Sequence, residues 1–72
     1  GPYFMYLNGK LSDVYNYKDG KKNGLAKSFF LSGKIKNVKN YKNDKLDGMY
    51  EIFNEKGELI EKLNYSNGYL DY

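Results

Sequence analysis

Two pairs of acids stand close enough along the chain to share one site, Asp44 with Asp47 and Glu58 with Glu61. Paired carboxylates can drive hydrolysis without histidine, one donating a proton while the other activates water or attacks. Both pairs fall in or beside turn-forming segments of a 72-residue chain with little room for a deep pocket, so they read as solvated acids. Ser12, Ser28, Ser32 and Ser66 have no histidine to activate them, and there is no cysteine. The absence of both residue types also removes the commonest transition-metal ligands, so neither a metal nor a cofactor is expected. Phosphoryl transfer needs a phosphate-cradling glycine loop, a lysine and magnesium-binding carboxylates. The eight glycines are instead scattered singly, with no G-x-G-x-x-G or P-loop run. No catalytic residue is expected.

Charge is the remaining lead. Residues 18 to 45 hold nine lysines (Lys18, Lys21, Lys22, Lys27, Lys34, Lys36, Lys39, Lys42 and Lys45) against two acids, a net +7. Residues 46 to 72 hold two lysines and six acids, a net −4, while residues 1 to 17 balance. The nine lysines are candidates for an anion- or lipid-binding face, each worth up to roughly 1 kcal/mol near an anionic membrane surface. The competing reading has them decorating solvent-facing and edge positions, where they discourage strand-to-strand aggregation. With no arginine for bidentate contacts, nucleic acid is not the expected partner. A basic unit beside an acidic one also suits head-to-tail self-association or the steering of a protein partner.

The elements that carry these charges follow from a repeat. Gly9, Gly33 and Gly57 are spaced by 24 residues, as are Gly24 and Gly48. Tyr17, Tyr41 and Tyr65 keep the same spacing, with Leu11, Ile35 and Leu59, with Met5, Phe29 and Phe53, and with Asn16, Asn40 and Asn64. Each unit has two turn signals. Asn8-Gly9, Ser32-Gly33 and Lys56-Gly57 make the first; Asp19-Gly20, Asn43-Asp44 and Asn67-Gly68 make the second. Stretches of about eight to eleven residues separate them, which is strand length. Gly24 and Gly48, early in the strand after the second turn, mark a repeated bend or bulge.

The fold expected is all-β, an antiparallel meander of about six strands over 3–7, 10–17, 25–31, 34–41, 49–54 and 58–65. Three hairpin units span about 3–24, 25–48 and 49–72. The aromatic columns predict a core of Met5, Phe29, Phe53, Leu11, Ile35, Leu59, Tyr17, Tyr41 and Tyr65, flanked by Leu25 and Met49. One residue of change in the loop at Ser32-Gly33 would move a whole strand's side chains to the opposite face. The longest apolar runs, Phe4 to Leu7 and Phe29 to Leu31, are too short for a membrane span or a signal-peptide core. Gly1-Pro2 reads as a protease-cleavage scar and the rest as an excerpt of a longer repeat protein, which leaves localisation open.

The segment Tyr17-Lys-Asp-Gly-Lys-Lys-Asn-Gly24, repeated as Tyr41-Lys-Asn-Asp-Lys-Leu-Asp-Gly48, resembles the MORN repeat. It is most similar to the bacterial variant of the YwqK-like proteins labelled antitoxins, and the likeness runs from about residue 3 to residue 72. Phe29-Phe-Leu-Ser-Gly-Lys34 and Phe53-Asn-Glu-Lys-Gly-Glu58 occupy that variant's other turn. Asp44 departs from the pattern where glycine is expected, and Tyr72 stands where the third unit should have its closing glycine. The resemblance implies an open repeat sheet that serves as a protein-interaction or assembly scaffold. In eukaryotic relatives such repeats accompany junctional membrane proteins and phosphatidylinositol phosphate kinases, which implies a lipid-binding accessory role as the alternative. A phosphatidylinositol-4-phosphate 5-kinase name could follow by association, without that activity.

Overall fold

The computed structural model describes residues 1–71; Tyr72, expected at the position of a closing glycine, lies outside the described residues. The chain forms β1 (Pro2–Leu7), β2 (Lys10–Lys18), β3 (Lys21–Lys22), β4 (Gly24–Phe29), β5 (Ile35–Lys42), β6 (Lys45–Phe53), β7 (Leu59–Ser66) and β8 (Tyr69–Asp71). All pairings are antiparallel, and the spatial order is β1-β2-β4-β5-β6-β7-β8 with β3 on β2. The six expected strands are present. The short β3 and β8 are the closing arms of second turns, an arm that in the middle unit runs unbroken into β6.

The second turns are two-residue hairpins with left-handed backbone at both central positions: Asp19 and Gly20 (φ 53° and 78°), Asn43 and Asp44 (50° and 69°), Asn67 and Gly68 (52° and 89°). Asparagine, aspartate and glycine adopt that geometry at low cost. Asp44 therefore fills its glycine position without changing the turn. Its carboxylate also accepts the Lys22 N–H at 2.7 Å, and its own N–H donates to the Lys22 carbonyl at 2.9 Å.

After each second turn the strand bends and changes partner. β3 lies on its own unit's β2 (Tyr17↔Lys22), then the chain passes Gly24 (φ 97°) and continues as β4 against β5 (Gly24↔Tyr41). Gly48 repeats the bend at φ 108° and pairs with Tyr65. The asparagine column explains itself here. Asn16 Nδ2 donates to the Leu25 carbonyl at 2.8 Å and Asn40 Nδ2 to the Met49 carbonyl at 3.2 Å, each holding the backbone just past a bend. A Cβ on Gly48 would lie 3.4 Å from Asn40 Cβ, so the bare glycine leaves room for that reach.

The first turns are not alike. In the second unit Phe30 N–H donates to Lys34 O and Gly33 N–H to Phe30 O, at 2.8 and 2.9 Å, and Asn54, Glu58 and Gly57 repeat the pattern. In the first unit Asn8 and Gly9 are both left-handed (φ 52° and 76°) and β1 and β2 join through a two-residue turn. β1 is consequently slipped by one residue. Asp13 faces Met5, whereas its counterparts Asn37 and Glu61 face Ser28 and Ile52, the counterparts of Phe4.

The expected core is corrected by this register. Cross-strand partners share a side of the sheet, which places Tyr17, Tyr41, Tyr65 and Met5 on one face. Phe29, Phe53, Leu11, Ile35, Leu59, Leu25 and Met49 lie on the other, and Phe4 takes the place assigned to Met5. Neither face is covered. The molecule measures 31 × 30 × 12 Å, a single layer, where a second sheet would add about 10 Å. Among the described residues only Ala26 and Ser28 are buried, while Met5, Leu25, Ile35 and Leu59 are exposed.

Candidate interaction surfaces

The first surface is the tyrosine face. Pairing sets Ala26 opposite Lys39, and Lys39 opposite Tyr50, with Tyr15 on the far side of Ala26. The small Ala26 lets its larger neighbours lean together over it, and it is 1% exposed. Lys39 Nζ lies 5.9 Å from the Tyr15 ring centroid and 5.7 Å from that of Tyr50. Lys22 Nζ sits 4.6 Å from Tyr15 and 5.1 Å from Tyr41. At these separations the ring quadrupoles attract the ammonium groups. Tyrosines also contact one another: Tyr3 with Tyr17, Tyr15 with Tyr41, and Tyr50 with Tyr65, at 5.8, 6.3 and 5.9 Å between centroids. Burial pulls Lys39 below the ordinary lysine range, an effect that Asp13 opposes and that Lys22 and Lys36 reinforce. Burial likewise pushes the Tyr15 and Tyr41 phenols up, Asp13 adding to the effect at Tyr15.

Ser28, one of the four serines weighed as nucleophiles, sits on this face with its hydroxyl donating to Asp13 Oδ1 at 2.6 Å. The bond crosses from β4 to β2 and clasps two units. Three of the four paired acids are also engaged structurally. Asp44 and Asp47 accept the Lys22 and Asn67 N–H groups, and Glu58 accepts the Asn54 side-chain amide at 3.4 Å.

The opposite, phenylalanine face presents Phe4, Leu25, Phe29, Phe53 and Leu59 around the charged Lys27, Glu51 and Lys62. Val14, Asn16, Leu25, Lys27 and Phe29 line a shallow groove on it. A second groove at the first-turn end runs among Leu7, Leu11, Phe29, Phe30 and Leu31. Phe4, Leu25 and Leu59 are each about half exposed, at 52%, 47% and 48%. Single exposed apolar residues need no explanation, but a row of them across successive strands is a sticky surface.

The nine candidate lysines do not form one patch. Lys18, Lys21, Lys42 and Lys45 gather at the second-turn rim, where Lys18 pairs directly with Lys21 and Lys42 with Lys45. Like charges opposite one another are mildly destabilising. Lys22 and Lys39 belong to the tyrosine face, Lys27 lies on the phenylalanine face, and Lys34 and Lys36 sit by the first turn. Sequence reasoning missed Tyr15, Tyr50, Ala26 and Asp13. Asp13 and Tyr15 alternate with Tyr17 along β2, which was the available signal for those two; Ala26 and Tyr50 stand 24 residues apart at equivalent repeat positions but differ in residue type, so no matched column marked them.

The chain matches no protein-family model, and no curated protein or solved structure shows significant similarity to it, so its function is read from its own geometry.

Proposed function

We propose that the chain is a non-catalytic, MORN-type repeat module that works as a protein-interaction or assembly scaffold. One observation carries this reading: a one-layer sheet leaves an apolar face open along its whole length, where stable domains pack two layers around a core. Asp13, Asp44, Asp47 and Glu58 and the serines Ser12, Ser28 and Ser66 are engaged in hydrogen bonds that brace turns, strands and junctions, which supports a binding role over chemistry. The test is capture with the immobilised protein, comparing wild type with a Leu25→Lys/Leu59→Lys variant. Both positions are exposed enough to accept charge without unfolding the sheet. A specific protein retained by the wild type and lost by the variant supports the reading, as does self-association of the wild type with no release of ADP from ATP. A chain that binds neither itself nor another protein counts decisively against it.

A second reading has its own observation. The four rim lysines, held as two like-charge pairs at one edge, suit an anionic lipid surface. Flotation with phosphatidylcholine vesicles, with and without an anionic phospholipid, decides it. Binding that depends on the anionic lipid and disappears in a variant with serine at Lys18, Lys21, Lys42 and Lys45 is the expected result. Binding indifferent to lipid charge and salt ends the idea.

A further inference from the structure

The phenylalanine face carries its charges in one row. Phe4, Val14, Lys27, Val38, Glu51 and Lys62 cross six strands, each the pairing partner of the next. Lys27 on β4 and Glu51 on β6 stand 24 residues apart at one repeat position, one strand to either side of Val38 on β5. The positions that flank them keep their chemistry across the repeat, Leu25 matching Met49 and Phe29 matching Phe53. Among these three positions only the charged one changes sign.

Such a face is complementary to itself. A twofold axis along β5, lying between two stacked sheets, exchanges the strand on one side of β5 for the strand on the other. It sets Lys27 of each copy over Glu51 of the other, Leu25 over Met49 and Phe29 over Phe53, with Val38 meeting Val38 on the axis. The apolar stem of Lys62 lies across Val14, and its ammonium stays beside Glu51, its own cross-strand neighbour. The segment of net +7 to which β4 belongs comes to rest on the segment of net −4 that holds most of β6 and all of β7.

Other arrangements set like charges together or leave one unpaired. Axes along β4, β6 or β7 stack Lys27, Glu51 or Lys62 on itself, and an axis across the strands through this row does so for all three. An axis between β5 and β6 puts Lys27 on Lys62, and one between β6 and β7 pairs Glu51 with Lys62 but leaves Lys27 without a partner. The tyrosine face fails about β5 as well. Lys39 would meet Lys39, and Asp13 would meet Glu61, which lies two strands beyond β5 as Asp13 lies two before it. Area does not limit the contact: a sheet of 31 × 30 Å offers roughly 900 Å² on a face, and a standard interface takes about 800 Å² from each partner.

We propose that the phenylalanine faces of two copies stack about a twofold axis along β5, giving a dimer in which Lys27 of each copy pairs with Glu51 of the other. The second sheet supplies the layer that an apolar face requires, with the strands of the two sheets aligned as in other stacked sheets. The same patch serves both copies, so the contact closes at two. The register is set by residues 27, 38 and 51, all inside the repeat. The proposal rests on the assembly reading and names its partner.

Sedimentation velocity from micromolar to millimolar concentration tests it. The wild type gives a dimer and nothing larger. Lys27→Glu and Glu51→Lys each bring like charges together twice per dimer, and each weakens association by about a hundredfold or more. An equimolar mixture of the two variants forms a heterodimer, because every contact between positions 27 and 51 then joins opposite charges. The chain with both changes, Lys27→Glu/Glu51→Lys, dimerises like the wild type. These two rescues separate a lost contact from a lost fold. A wild type that is monomeric throughout, or that grows past a dimer, overturns the proposal, as does a dimer that survives either single reversal or a mixture that fails to associate. A monomer that still retains a specific protein loses this inference and keeps the scaffold.

Discussion

A lysine held over tyrosine rings has a poorly hydrated charge, and the pH response of the tyrosine face follows from that. Lys39 is pulled down mainly by burial, so in the window below the ordinary lysine value the unfolded chain binds more protons. Stability therefore rises with pH there. Tyr15 and Tyr41 are pushed up, again mainly by burial, so above the ordinary phenol value of about 10 the folded chain holds protons the unfolded chain has lost. Stability falls as pH climbs through that range. Followed by near-ultraviolet phenolate absorbance, the nine tyrosines should titrate with a late phase that Tyr15→Phe/Tyr41→Phe removes. One phase shared by wild type and variant would defeat the assignment. The Tyr17, Tyr41 and Tyr65 column was legible from spacing alone. The placement of Lys22 over Tyr15 and Tyr41 and of Lys39 over Tyr15 and Tyr50 was not, because it depends on which residues of other strands share a face, and register decides that.

Elements show where a small chemical difference is amplified. All three first turns end in glycine, and sequence spacing makes them equivalent. Gly33 and Gly57 are left-handed (φ 94° and 86°), but among their predecessors only Asn8 is left-handed too. Asparagine tolerates that geometry where serine or lysine resists it, at a cost of roughly 1–2 kcal/mol for an ordinary residue. The residue before the glycine thus selects between a two-residue turn and a longer bulged one, and the choice moves Met5 and Phe4 to opposite faces from those the repeat assigns. Asn8→Ala should destabilise the protein by about 1 kcal/mol, while Ser32→Ala stays within about 0.5 kcal/mol. Urea unfolding of the two variants compares them directly; equal losses would mean that backbone geometry at position 8 does not set the turn. The bends at Gly24 and Gly48 were legible as bends. The Asn16 and Asn40 side chains that brace them were not, since their acceptors lie nine residues away across a junction.

At the scale of the whole molecule, a one-layer sheet has no shared core to make its units unfold together. A column of matched aromatics predicts burial only if a second layer covers it, and spacing within one chain carries no information about that layer. Each unit leans on its neighbours alone, as in other repeat arrays. The two junctions differ. β2 and β4 pair at Asp13 and Val14, one position fewer than β5 and β6 at Asn37, Val38 and Lys39, while the turn arms join alike, Tyr17↔Lys22 and Lys18↔Lys21 matching Tyr41↔Leu46 and Lys42↔Lys45. β1 adds little to hold the first unit, since all six of its residues are exposed. The β1–β2 hairpin should therefore open before the rest, with the Ser28–Asp13 bond as its main side-chain clasp. In native-state hydrogen exchange on dilute monomer, the β1–β2 amides should exchange through a lower-energy opening than those of β6–β7. Ser28→Ala should widen that gap, because it leaves a half-buried carboxylate without its donor. Amides of both hairpins exchanging through one common opening would instead show a single cooperative unit, and the weaker junction would have no energetic consequence.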